Sequence, residues 1–128
     1  MNIKVPISLG ELIDKISILE IKKNKISNKE KNQHITQELI ELNKVLKTEN
    51  IDQKKINFFL AELKEINLKL WNIEDQIRIC EKKSSFKEDF INLARSVYKF
   101  NDIRAKIKLK INTEFNSTLV EIKSYEEY

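Results

Sequence analysis

The stretch Gln53–Lys82, QKKINFFLAELKEINLKLWNIEDQIRICEK, decides the fold. Ile56, Phe59, Leu63, Ile66, Leu70, Ile73, Ile77 and Cys80 advance in steps of 3, 4, 3, 4, 3, 4 and 3. An apolar stripe at that spacing lies along one side of an α-helix, and sustained over several heptads it reads as a coiled-coil-like seam. At the usual helical rise such a helix, predicted over 53–82, is about 45 Å long. Asp52 is placed to cap it. The next segment, 86–114, mirrors the seam with Phe86, Phe90, Leu93, Val97, Phe100, Arg104, Ile107 and Ile111. One member of that series, Arg104, is charged. The link between the two segments is short, so they are expected to pack antiparallel.

Outward from this pair the same rhythm continues. Ser8 and Glu11 form a Ser-x-x-Glu capping box, and Leu9, Leu12, Ile13, Ile16 and Leu19 give one apolar face to a helix over 9–27. Ser27 and Glu30 suggest a second box, ahead of a helix over 29–48 that carries Ile35, Leu39, Leu42 and Leu46. Ser85 and Glu88 suggest a third. Ile3–Ile7 contains the only proline and reads as extended. The tail, 118–128, includes the β-prone run Thr118–Lys123, and the two ends are expected to meet as a short two-stranded ribbon. The expectation is a single all-α domain over 1–128: a four-helix bundle in which the long pair packs on a shorter one. Helices near 30 residues overhang a globule of this size, which points to a homodimer.

Composition agrees. The 128 residues include one glycine and one proline. Sandwiches, barrels and doubly wound sheets need many turns built from those residues, and glycine-rich phosphate loops need several glycines. Isoleucine (20), lysine (21) and asparagine (13) are over-used, as in an AT-rich genome. The three arginines, Arg78, Arg95 and Arg104, therefore stand out as positions that use a planar fork rather than a point charge. The formal net charge is +4, with 20 acidic residues interleaved among the basic ones, so there is no basic block. Lys106, Lys108 and Lys110 are two apart and share no helix face, and nucleic acid is not an expected partner. One cysteine excludes an intramolecular disulfide and a zinc cluster. No apolar run suits a signal or a membrane span. The expected location is the cytoplasm, where the sequon Asn116-Ser117-Thr118 is incidental.

Two polar faces carry the possible chemistry. In the third helix Trp71, Glu74, Asp75 and Arg78 fall off the seam within two turns. In the fourth, Arg95, Tyr98 and Asp102 sit at i, i+3 and i+7, with Asn101 and Arg104 beside them. Helix 1 adds Glu11, Asp14 and Lys15. The plain interpretation is an ion-pair network: Glu74 with Arg78 on the surface, and Arg104 fixing register against Asp14 or Asp75. The sharper one is a polar pocket among helices 1, 3 and 4 that holds an anionic group, since arginine forks suit carboxylates and phosphates. Carboxylates at i, i+3 (Glu11/Asp14, Glu38/Glu41, Glu62/Glu65) echo the metal-binding motifs of all-α nucleotide pyrophosphatases. Their order does not match that pattern, and no cofactor or metal site is expected.

The opening Lys4–Lys22, the block Leu70–Arg78, Leu93–Tyr98, Asn101-Asp102 with Arg104-Ala105, and the tail Leu119–Tyr125 resemble a small bacterial all-helical family of unknown function. The resemblance spans nearly the whole chain and implies no activity. It marks the same polar residues: Glu11, Asp14, Lys15, Glu74, Asp75, Arg78, Arg95, Tyr98, Asn101, Asp102 and Arg104. Helix 2 departs most from it. The function expected is a module binding an anionic small molecule or a protein partner through this cluster. The alternatives are a coiled-coil-like scaffold dimer without a ligand site and, more remotely, an all-α metal-dependent nucleotide hydrolase.

Overall fold

A computed structural model describes residues 1–128. Four helices follow one another: α1 (Leu9–Lys25), α2 (Lys29–Thr48), α3 (Gln53–Lys82) and α4 (Glu88–Glu114). Helices α3 and α4 form the expected antiparallel hairpin, as the pairs Lys55–Glu114 and Asn67–Arg104 show. Helix α1 is the hub: its backbone approaches those of α2, α3 and α4, and the only other close helix pair is α3 with α4. Helix α2 accordingly lies outside, with Ile35 its one buried residue. The bundle is thus a three-helix core with an outrigger, because the apolar face of α2 covers α1 rather than closing a fourth side.

The predicted α3 seam is buried from Ile56 to Ile73 and becomes half-buried at Ile77 and Cys80. The densest cluster joins Ile13, Ile56, Phe59, Leu63 and Ile111, with Leu46 and Phe115 against its edge. Only 20 of the 128 residues are buried, so the core is thin and each polar group inside it weighs heavily. Beyond Ile77 the α3–α4 hairpin projects past α1, and Ile79, Phe86 and Ile91 are about half exposed there.

Three sequence expectations are corrected. The ribbon does not form: neither Ile3–Ile7 nor the tail is a strand. The tail is held by side chains on α4 instead, and a lone strand pair without a third partner gains little. Helix α1 ends at Lys25, and α2 is capped by Asn28, whose side chain accepts from the Lys31 N–H, not by Ser27. The Asn32 amide bonds the carbonyls of Lys23 and Ile26, 2.9 and 3.1 Å away, and this closes the α1–α2 turn. Helix α4 begins at Glu88, after Lys87 and without a side-chain cap. Ser84 is left-handed at φ 52°, which reverses the chain too early for the Ser85–Glu88 box to close. Asp52 caps α3 as expected, accepting from the Lys54 N–H.

Candidate functional site

The first turn of a helix leaves four N–H groups without helical partners. In α1 three of them find side-chain partners, and two of those partners lie about a hundred residues away. Leu9 donates to Ser117 Oγ at 3.4 Å, Gly10 to Asn112 Oδ1 at 2.7 Å and Glu11 to Ser8 Oγ at 3.2 Å, and Leu12 then opens the ordinary helical ladder on the Ser8 carbonyl at 3.1 Å. The start of α1 is therefore stitched to the end of α4. Gly10 makes this approach possible: a Cβ there would lie 2.6 Å from the Lys108 carbonyl oxygen.

From this junction a polar layer runs through the interior. Gly10, Asp14 and Ser17 on α1 face Arg104, Lys108 and Asn112 on α4, and Asn67 enters from α3. Asp14 is 2 % exposed and Lys108 4 %. The Asn67 amide donates to Asp14 Oδ1 at 2.8 Å and to Ser17 Oγ at 2.7 Å, and its oxygen accepts from Arg104 at 3.3 Å. Ser17 in turn donates to the Asp14 carbonyl at 2.7 Å. No buried side-chain polar atom is left without a hydrogen bond, which is the condition on which so thin a core tolerates such a layer.

Lys108 Nζ sits among three carboxylates: Glu11 at 2.7 Å, Glu121 at 2.8 Å and Asp14 at 3.9 Å. Burial pulls its pKa down, but the hydrogen bonds of Glu11 and Glu121 and the nearby charges outweigh burial, so the net shift is upward. The hydrogen bond from Lys108 lowers the pKa of Glu121. Arg104 is tied more loosely. Its Nε lies 3.9 Å from Asp14 Oδ2, and the contact with Asn67 is its one hydrogen bond, so most of its five donors are free.

Arg104 is among the residues that line an open cleft of about 470 Å³ between α1, α3 and α4. Ile18, Ile21, Leu70 and Trp71 form its apolar wall; Asn67, Asn101 and Arg104 lie at its polar end, and Glu74, Asp75 and Arg78 form the rim. Of the residues singled out in the sequence, the cleft therefore unites Trp71, Glu74, Asp75, Arg78, Asn101 and Arg104. Asp14 and Glu11 lie behind it, on Lys108. Arg78 also pairs with Glu74 at 3.5 Å on the helix surface.

The others lie elsewhere. Lys15 pairs with Glu38 of α2 at 3.4 Å. Arg95 is exposed on the projecting hairpin. Tyr98 and Asp102 receive the tail: Tyr128 donates to Asp102 Oδ2 at 2.6 Å, and its ring meets that of Tyr98 edge-on at 5.2 Å. The hydrogen bond to Asp102 pushes the Tyr128 phenol up to about 12. Of the i, i+3 carboxylates, all but Glu62 pair with lysines: Glu11 and Asp14 with Lys108, Glu38 with Lys15, Glu41 with Lys44 and Glu65 with Lys69. No group of three or more His, Cys, Asp or Glu side chains converges as a metal site.

Sequence reasoning missed Gly10, Ser17, Asn67, Lys108, Asn112 and Glu121. One signal was available: Arg104, Lys108 and Asn112 advance by fours along α4, and the only glycine opens a matching 10, 14, 17 stripe on α1. Judging Lys108 with its neighbours Lys106 and Lys110 hid that stripe.

The class these features define is an all-helical module with a fully bonded polar layer beside an arginine-lined cleft. The chain belongs to a family of unknown function, DUF6165, whose model matches residues 3–128. No curated protein and no solved structure matches it. No helix is long and apolar enough to cross a membrane.

Proposed function

We propose that the chain is a binding module whose cleft takes an anionic small molecule with an apolar part. One observation carries this: Arg104 lines the cleft while making a single hydrogen bond, to Asn67, and standing 3.9 Å from Asp14, so most of its donors are uncommitted. A guanidinium with uncommitted donors beside an apolar wall suits a carboxylate or phosphate. Asn101 adds a neutral amide, Arg78 an exposed second cation, and Trp71, Ile18 and Leu70 an apolar seat. Glu74 and Asp75 on the rim disfavour large polyanions. Nothing in the arrangement requires catalysis.

Trp71, the only tryptophan, reports on the cleft. Its emission, titrated with phosphate and with small carboxylates, should change at sub-millimolar to millimolar ligand, and Arg104→Met should abolish the response. An unresponsive Trp71 across both anion classes overturns this reading.

A second reading rests on the projecting hairpin, where Ile79, Phe86 and Ile91 are about half exposed. Apolar side chains grouped beyond the core suit a partner, and a second copy meeting tip to tip would form the coiled-coil-like homodimer expected from helix length. Sedimentation of the wild type against Phe86→Ser/Ile91→Ser tests it, the variant running as a smaller species. We read the protein as acting in the cytoplasm, supported by its lone Cys80, which leaves no intramolecular disulfide, and as bacterial, supported by the resemblance of its sequence blocks to a bacterial family.

A further inference from the structure

Residues 118–128 form neither helix nor strand, yet the tail folds back along α4 on two side chains, Glu121 at Lys108 and Tyr128 at Asp102. Of the three carboxylates around Lys108, Glu11 and Asp14 are fixed by α1. Only Glu121 arrives on irregular chain, and its side chain is 39 % exposed. It is the removable member of the set.

The charges say what would replace it. With Glu121 withdrawn, Lys108 and Arg104 balance Glu11 and Asp14. The seat then has no net charge, and one ammonium donor has lost its acceptor. A buried ammonium with an unmet donor favours a new acceptor. A single carboxylate restores both the charge and the hydrogen bond that Glu121 supplied. A phosphate dianion brings a second negative charge against Glu11 and Asp14.

We propose that Lys108 is a carboxylate seat, with Arg104 offsetting the charge of Asp14 beside it, that Glu121 occupies the seat as an intramolecular stand-in, and that a small monocarboxylate displaces the tail. This goes beyond the cleft reading and shares only Arg104 with it.

The test uses the full chain with acetate as probe. Backbone amide NMR follows binding at Gly10, Glu11 and Lys108, and amide relaxation follows residues 118–128. Acetate should shift the first set and loosen the second. Glu121→Gln should bind acetate at least about tenfold tighter, because the competing state is removed. Tyr128→Phe, which weakens the other anchor, should tighten binding by a smaller factor. Glu126→Gln, a tail carboxylate outside the seat, should behave as wild type. The proposal is overturned if Glu121→Gln and wild type bind acetate equally or not at all. It is also overturned if acetate saturates with the tail still ordered, or if phosphate binds more tightly than acetate. A response of Trp71 in the cleft with no effect at Lys108 sinks this proposal alone and leaves the cleft reading standing.

Discussion

Gly10 donates its backbone N–H to Asn112 Oδ1 at 2.7 Å, and its Cα faces the Lys108 carbonyl so closely that a methyl group would lie 2.6 Å from that oxygen. This junction makes a clear prediction. Alanine is the better helix former by about 1 kcal/mol, and in an ordinary helix Gly→Ala stabilises. Here the clash is with backbone, which cannot rotate away. Gly10→Ala should therefore lower stability by about 1–3 kcal/mol net, read from the urea midpoint. A raised midpoint would show that α1 and α4 separate without cost.

Asn67 should be the most sensitive polar residue. Its amide spends both hydrogens on Asp14 and Ser17, and its oxygen receives Arg104. Asn67→Leu leaves the buried Asp14 carboxylate with only the ion pairs of Lys108 and Arg104, and about 3 kcal/mol of stability should go. Asp14→Leu in the same background should cost less than it does alone, with a coupling of about 1 kcal/mol or more. Strict additivity in that double-mutant cycle would mean that the two side chains do not act as a unit.

Arg104→Met should behave differently from its neighbours. The arginine is 27 % exposed, bonds Asn67 at the long end of the range and stands 3.9 Å from Asp14. Lys108 and Asn67 still hold Asp14 without it. The variant should stay within about 1 kcal/mol of wild type and lose the Trp71 response to anions. A loss of several kcal/mol would identify Arg104 as a structural ion-pair partner.

The tail should respond to pH at two limits. Glu121 has a lowered pKa because Lys108 bonds its charged form; its contribution is present above its ordinary value of 4.5 and fades as pH falls through the lowered one. Lys108 has a raised pKa; its contribution is complete below 10.5 and fades as pH rises through the raised one. Docking of residues 118–128, followed by amide relaxation, should thus hold between these limits and fail beyond each. Glu121→Gln, which resembles the protonated glutamate, should leave the tail loosened across the whole window.

A spectroscopic titration checks the other anchor. One of the three tyrosines should ionise near pH 12, since Tyr128 is hydrogen-bonded to Asp102. Asp102→Ala should return that group to the ordinary tyrosine range. An unchanged curve would place Tyr128 away from Asp102 in solution.

The helices were legible because burial repeats at helical spacing, and α3 could be read residue by residue from Ile56 to Ile73. The cleft was partly legible: Trp71, Glu74, Asp75, Arg78, Asn101 and Arg104 share faces that periodicity alone reveals. The polar layer was not. Asn67 sits next to Ile66 in the seam and has an ordinary polar identity; only the approach of α1 makes it central. The Asn112–Gly10 and Ser117–Leu9 bonds join residues whose separation no local pattern encodes. Chain ends are similar, because a strand-like composition in Thr118–Lys123 cannot reveal that one glutamate and one tyrosine anchor the segment.

The long-range capping of α1 also bears on how the chain is made. When α1 and α2 have been made without α3 and α4, the first turn of α1 still has two unpartnered N–H groups, and Asp14 lacks Asn67 and Lys108. Those partners arrive only with residues 67 to 117. Helix α1 is thus synthesised before the other three helices and completed only after them, so its native structure should appear late in translation.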